Sequence, residues 1–153
     1  MKFTFLLFFL SLAFTSFAQS PLKLVNPNSV AAPKGYSQVA QIDLGNATML
    51  LISGQVPLDK QGNLVGKGDL ARQTEQVFIN IKNIIEEAGG NINHLAKVSY
   101  FIKDVSKIQL VRDMRDKFIN TQSPPASTLV EVSKLYRDDV LIEIEATAVI
   151  PKK

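Results

Sequence analysis

The stretch Pro124-Pro125-Ala126-Ser127-Thr128-Leu129-Val130-Glu131-Val132 decides the fold that this 153-residue chain is expected to adopt. Its two prolines end the element before them, because proline has no backbone N–H and its ring resists a helix. Residues 128–132 are mostly β-branched or apolar and therefore predict a strand. Residues 141–150 largely alternate between apolar and polar side chains and predict another.

Upstream of this stretch, the sequence predicts a hairpin followed by a long helix. Val39–Asp43 and residues 49–52 read as strands, and Gly45-Asn46 between them reads as a turn. Asp69 is a good N-cap. After it, apolar residues recur at three- and four-residue steps, which predicts a helix of about five turns. Gly89-Gly90 is expected to end that helix.

A further strand and a second helix are predicted between the first helix and the prolines. Residues 97–102 alternate as a strand, and Ser106 with Gln109 fits a capping box that would open the helix. The inner face of this helix is predicted to be Ile108, Val111, Met114 and Phe118.

The predicted order of elements, β-β-α-β-α-β-β, indicates an α+β fold. Two amphipathic helices need a common sheet to cover, so both are expected on one face of one mixed sheet. Side chains of the last strand alternate between the two faces. The face under the helices is predicted to be Val140, Ile142, Ile144, Ala146 and Ala148. The opposite face is mixed, as in a solvated sheet or a subunit contact, and consists of Leu141, Glu143, Glu145, Thr147 and Val149.

The amino-terminal residues have the pattern of a secretory signal peptide. Lys2 precedes a short apolar run, and Ser16-Phe17-Ala18 fits a small-residue cleavage site. We expect a signal peptide over residues 1–18, a polar leader over 19–32 and a single domain over 33–151. The alternative, an uncleaved anchor, is less favoured because the apolar run is shorter than the ~20 residues of a spanning helix. Export to the periplasm or the extracellular space is therefore predicted, with no membrane attachment after cleavage.

Composition narrows the classes of function. The formal net charge is +3 and the basic residues are scattered, so no nucleic-acid surface is indicated. One histidine and no cysteine make a zinc site unexpected. Residues 62–69 superficially resemble a phosphate loop, but three residues rather than four separate the glycines. No cofactor and no metal are expected.

A series of motifs in order carries a family resemblance. They are Gly35-Tyr36-Ser37-Gln38, Ile52-Ser53-Gly54-Gln55-Val56-Pro57, a helix containing Asn80-Ile81-Lys82, Phe101-Ile102-Lys103-Asp104, the segment 125–132, and Ile142-Glu143-Ile144-Glu145-Ala146. Together, over about residues 33–149, they resemble the reactive intermediate deaminase family, also called RidA or YjgF. The resemblance implies a chorismate-mutase-like α+β domain and a homotrimer with ligand sites in the clefts between subunits. It also implies hydrolysis of imines and enamines, such as 2-aminoacrylate, to keto acids and ammonia.

The resemblance also implies which residues form the site. Tyr36 would line the cleft, with Ser53 and Gly54 at its base, and Glu143 would position the attacking water. Ser127 stands where the active relatives carry an arginine that clamps the substrate carboxylate, and Thr128 and Leu129 follow it as further substrate-binding positions. Ordinary packing for Tyr36, a tight strand exit at Ser53-Gly54 and a plain polar sheet face for Glu143 remain the alternatives.

Ser127 weakens the prediction of catalysis. A guanidinium grips a carboxylate with two charge-assisted hydrogen bonds, each contributing about 1.5–3 kcal/mol. An arginine from elsewhere in a trimer could replace it, and the candidates are Arg72, Arg112, Arg115 and Arg137. The favoured function is a RidA-like protein that binds a small molecule, with imine hydrolysis reduced or altered. The alternatives are a functional 2-iminobutanoate/2-iminopropanoate-type deaminase and a ribonuclease, which weak charge and predicted export disfavour.

Overall fold

A computed structural model of the chain describes residues 20–152. The predicted signal peptide lies outside the described residues, so export stays a prediction. The helices of the described part include none that combines the length and the apolar content needed to cross a membrane.

The described residues form one six-stranded sheet with two helices. The strands are β1 (Leu22–Val25), β2 (Val39–Asp43), β3 (Ala47–Gln55), β4 (Leu95–Ile102), β5 (Ala126–Glu131) and β6 (Ile142–Pro151), and the helices are α1 (Leu70–Glu87) and α2 (Ile108–Arg115). The strand order is β1-β2-β3-β6-β4-β5. Only β4 and β5 are parallel within this sheet, so the sheet is mixed. The predicted α+β architecture, with two helices on one mixed sheet, is confirmed.

Helix α1 forms as its sequence predicts. The Asp69 side chain accepts a hydrogen bond from the backbone N–H of Arg72 at 3.1 Å and so caps the first turn. Gly89, at a φ of +85°, ends the helix in a left-handed conformation that favours glycine. The residues that α1 buries are Leu70, Gln73, Thr74, Val77, Phe78, Asn80, Ile81, Ile84 and Ile85.

The core lies between the helices and one face of the sheet. Ile142, Ile144 and Ala148 of β6 are fully buried there, which confirms the predicted apolar face of the last strand. Phe78 of α1 packs against the ring of Phe118 with a centroid distance of 5.4 Å. Burying such side chains contributes about 1.5–3 kcal/mol each, which makes this layer the main source of stability.

The predicted leader over 19–32 is wrong for the residues that the structure describes. Leu22–Val25 forms strand β1, which pairs antiparallel with β2. Val30 belongs to the buried core. The backbone amides of Asn28 and Ser29 donate to the Glu87 carboxylate at the end of α1, at 2.9 and 3.0 Å. The fold therefore begins well before the predicted boundary at residue 33.

The predicted capping box at the second helix is also wrong. The Asp104 carboxylate accepts the backbone N–H of Ser106 and opens a 3₁₀ helix over Val105–Lys107, ahead of α2. Gln109 donates its side-chain amide to Asp113 instead of reaching back to the cap. A carboxylate is a stronger acceptor than a hydroxyl, so the cap moves to Asp104.

Candidate functional site

An open cleft of about 970 Å³ lies where the pairing of β3 with β6 is irregular. The register between these strands shifts between Ile52 and Gln55, so the backbone there leaves the regular ladder. The segment before β2, this irregular part of β3 and the loop before β6 meet around the opening. The lining residues with polar or small side chains include Lys34, Tyr36, Ser53, Gly54, Lys60, Asn80, Tyr136, Arg137 and Glu143.

Gly54 gives the Glu143 side chain its place in the cleft. A Cβ atom at position 54 would overlap the Glu143 carboxylate, so only glycine leaves room for that side chain where it lies. The hydroxyl of Ser53 donates to the carbonyl of Ser37 at 2.7 Å. This hydrogen bond ties the segment that carries Tyr36 to β3, and so helps to fix the distance between Tyr36 and Glu143.

Two amide side chains form a buried layer beside the cleft. Gln55 donates its Nε2 to Oε1 of Gln38 at 2.7 Å and to the carbonyl of Ser53 at 2.9 Å. Gln38 in turn donates its Nε2 to the carbonyl of Ala31 at 2.9 Å. Buried amides that are paired in this way hold a backbone rigidly, because losing a partner would leave an unsatisfied group.

The surroundings of the Glu143 carboxyl group shift its pKa. Burial raises the pKa of Glu143 above its ordinary value, and the nearby Glu145 raises it further. Burial also raises the pKa of Tyr36, with smaller contributions from Tyr136 and from Glu143. The Tyr36 hydroxyl therefore stays protonated at neutral pH and serves as a hydrogen-bond donor. The site offers one carboxyl group whose pKa is raised and one neutral donor.

Cationic side chains also line the cleft. Lys34, Lys60 and Arg137 line the cleft, whereas Glu143 is the acidic residue that lines it. Arg137 donates Nε and Nη2 to the two oxygens of Asp139, at 2.9 and 2.7 Å. The Asp139 carboxylate raises the pKa of Arg137, so the guanidinium remains charged.

Comparison with known proteins decides the family. A family model described as Endoribonuclease L-PSP matches residues 26–150. The chain belongs to the RidA/YjgF family. The matched range begins before residue 33, in agreement with the earlier start of the fold.

The RidA-family chain has relatives among both curated proteins and solved structures. It is 39% identical over 118 residues to a RutC family protein of Pyrococcus abyssi, covering 76% of this chain and 90% of that protein. It is 36% identical over 128 residues to the 2-iminobutanoate/2-iminopropanoate deaminase of Escherichia coli K12, covering 82% and 95%. The structure of Escherichia coli TdcF with bound serine matches with a TM-score of 0.69 at 28% identity, covering 83% and 98%.

Four of the residues expected from the RidA resemblance meet in this cleft, and three do not. Tyr36, Ser53, Gly54 and Glu143 all line it. The other three, Ser127, Thr128 and Leu129, lie on β5 at the far edge of the sheet, beyond β4.

The three β5 residues have other surroundings in the single chain. Ser127 and Thr128 are exposed, and the Thr128 hydroxyl accepts a hydrogen bond from Nζ of Lys97 at 3.1 Å. Leu129 is half-buried and packs against the core. That these residues bind substrate in a site between subunits stays a prediction.

Sequence reasoning did not predict several of the side chains that line this RidA-family cleft. It named Arg137 only as one of four arginines and did not name Lys34, Lys60 or Tyr136. The available signal was the Tyr136-Arg137 pair, which lies shortly before the strand that carries Glu143. The two lysines lie in irregular segments whose approach to the cleft depends on tertiary structure.

Proposed function

We propose that the protein binds a small organic molecule in this cleft and hydrolyses imines or enamines slowly or with an altered preference. The observation that carries the proposal is the half-buried Glu143, which lies against Gly54 at the bottom of a cleft that Tyr36 also lines. A carboxyl group of raised pKa beside a neutral donor suits proton transfer to and from a bound water molecule.

The proposed chemistry is addition of water to a C=N bond. Glu143 accepts a proton from the water as its oxygen bonds to the imine carbon. Glu143 passes this proton to the imine nitrogen, which gives a carbinolamine. Transfer of the hydroxyl proton to the nitrogen then lets the C–N bond break, so that ammonia leaves and a carbonyl group forms. The Tyr36 hydroxyl donates a hydrogen bond that orients the substrate, and the irregular strand around Gly54 keeps Glu143 in the cleft.

Ser127 is the reason to expect reduced or altered hydrolysis. An arginine at this position would add two charge-assisted hydrogen bonds to a carboxylate, or about 3–6 kcal/mol. Their loss corresponds to roughly 10²–10⁴ in binding. Because Ser127 lies on the exposed edge of the sheet, the proposal places it beside a ligand only when a second chain joins the cleft.

A homotrimer is part of the proposal. The face of the sheet away from the helices exposes Leu24, Leu51 and Val130 in the single chain. These side chains lie on β1, β3 and β5 of a face that no helix covers, and an uncovered sheet face with apolar side chains favours a subunit contact over a solvated surface. In the assembly that the RidA resemblance implies, this face would turn inward and the helices outward.

Two of the comparisons support small-molecule chemistry, whereas the description of the family model, Endoribonuclease L-PSP, names RNA cleavage. One relative is named as an iminobutanoate and iminopropanoate deaminase, and a structural neighbour holds serine. The histidine of this chain, His94, lies in the 3₁₀ helix Ile92–His94 and accepts the backbone N–H of Asn91. It does not line the cleft, so the proposed site has no imidazole to serve as acid or base for RNA cleavage.

Ammonia release from freshly generated 2-iminobutanoate tests the proposed function. We expect slow release by the wild type, faster release by Ser127→Arg by a factor on the order of 10², and loss by Glu143→Gln. Ser133→Arg adds the same charge at another exposed position and should leave the wild-type rate unchanged. A fast wild-type rate that Glu143→Gln does not lower would refute the proposal.

A further inference from the structure

The cleft contains its own guanidinium. Of the four arginines that could replace the one missing at position 127, Arg137 lines the cleft in the same chain as Tyr36 and Glu143. The other three lie on the helices, Arg72 in the first turn of α1 and both Arg112 and Arg115 in α2. We propose that Arg137 binds the carboxylate of the ligand, in place of an arginine at position 127.

The guanidinium of Arg137 keeps donors free in a fixed geometry. Arginine has five N–H donors arranged in a planar fork. Asp139 accepts from Nε and from Nη2, which leaves the remaining donors of Nη1 and Nη2 for a second acceptor. A carboxylate can therefore bind end-on while Asp139 keeps the group in place from the side. This arrangement orients the charge before a ligand arrives.

The loop that carries Arg137 is held by hydrogen bonds to α1. Gln73 of α1 is fully buried, and its Nε2 donates to the carbonyl of Asp139 at 2.8 Å. Its Oε1 accepts the backbone N–H of Leu141 at 2.8 Å. Both hydrogen bonds cross from the helix to the loop and fix it on either side of Val140, which is buried. A guanidinium held by a rigid loop loses little conformational freedom when it binds an anion.

The side chains that line the cleft carry more positive than negative charge. Lys34 and Lys60 line the same cleft as Arg137, and Glu143 is the acidic residue that lines it. A small organic carboxylate fits this arrangement, with its charge at Arg137 and its reactive carbon toward Glu143. This inference rests on the proposed function, and it changes the residue that recognises the acid group.

Calorimetric titration with a matched pair of probes tests the proposal. The acid probe is 2-oxobutanoate, and the neutral probe is 2-oxobutanamide, which has the same shape without the charge. We expect the wild type to bind the acid at least about 10-fold more tightly than the amide. Arg137→Gln should lose this preference but still bind the amide, whereas Arg112→Gln, which removes an exposed arginine on α2, should keep it.

A second variant tests the role of Asp139. Asp139→Asn removes the carboxylate that holds the guanidinium in place, so the acid should bind several-fold more weakly while amide binding stays the same. Arg137→Lys retains the charge without the planar fork and should show an intermediate preference for the acid. Thermal unfolding of each variant separates lost binding from lost folding.

The outcomes distinguish this inference from the proposed function. If Arg137→Gln folds and keeps the wild-type preference for the acid, the role of Arg137 is refuted while the binding cleft stands. Equal binding of both probes by the wild type refutes it as well. If the wild type binds neither probe, the proposed function fails, and the inference fails with it.

Discussion

At the scale of single residues, the Glu143 side chain can lie where it does because residue 54 is a glycine, which has no Cβ atom. The carboxylate occupies the space that a Cβ atom at position 54 would need. Two consequences follow, one for packing and one for protonation, and each can be measured separately.

Gly54→Ala should displace the Glu143 side chain. We expect a loss of about 1–3 kcal/mol in the free energy of unfolding, as for other overpacked sites, together with loss of imine hydrolysis. The double variant Gly54→Ala with Glu143→Ala removes the side chain that would be displaced, and should recover most of the stability but not the activity. Denaturant unfolding measures the coupling, and additive effects would contradict the contact.

Glu143→Gln should change the pH dependence of stability. The pKa of Glu143 is raised in the folded protein, so ionisation of this carboxyl disfavours the native state. The difference between variant and wild type should be near zero below the ordinary value of 4.5 and should grow in favour of the variant as pH rises through the folded pKa. We expect less than about 1 kcal/mol, because solvent screens a half-exposed group.

The residues that line the cleft show what the sequence predicts at this scale. Tyr36, Ser53, Gly54 and Glu143 lie within motifs, so sequence reasoning found them. Lys34 and Lys60 have no pattern of their own, because they lie in irregular segments whose approach to the cleft depends on tertiary packing.

At the scale of elements, the main difference between expectation and structure is β1. Only four residues form this strand, and Pro21 and Pro27 flank it, so the stretch reads as a loop. It forms because the exposed edge of β2 offers unpaired backbone groups, and such pairing leaves no periodic signal in a short edge strand. By contrast, α1 and β6 are long and strongly periodic, and their sequences predict both correctly.

Glu87 anchors the chain after β1 to the end of α1. Its carboxylate accepts the backbone amides of Asn28 and Ser29, and these hydrogen bonds lower the pKa of Glu87. Glu87→Gln should therefore speed hydrogen exchange at both amides by roughly 10-fold, a loss on the order of 1.4 kcal/mol. Glu86→Gln changes the neighbouring carboxylate, which pairs with Lys82, and should leave these amides protected. Equal protection in both variants would contradict the anchor.

At the scale of the whole molecule, the two faces of the sheet differ. The helices cover one face, and the other exposes apolar side chains in the single chain. Leu51 of β3 and Leu110 of α2 are almost equally exposed, at 44% and 43%, but lie on opposite sides of the molecule. Substituting each leucine in turn can therefore distinguish an assembly through the sheet from an assembly through the helices.

Leu51→Asp should dissociate the proposed trimer, because a charge in a closed interface loses its hydration. Leu110→Asp changes an equally exposed leucine on the helical side and should leave the trimer intact. Light scattering coupled to size-exclusion chromatography measures both masses. A trimer in both variants, or a monomeric wild type, would contradict assembly through the open face.

The most direct test of the account is a crystal structure of the protein with 2-oxobutanoate. We expect the ligand in the cleft lined by Tyr36, Gly54 and Glu143, with an oxygen or its reactive carbon near the Glu143 carboxylate. A ligand bound elsewhere on the molecule, or a cleft that stays empty at a concentration that saturates binding in solution, would contradict the central claim.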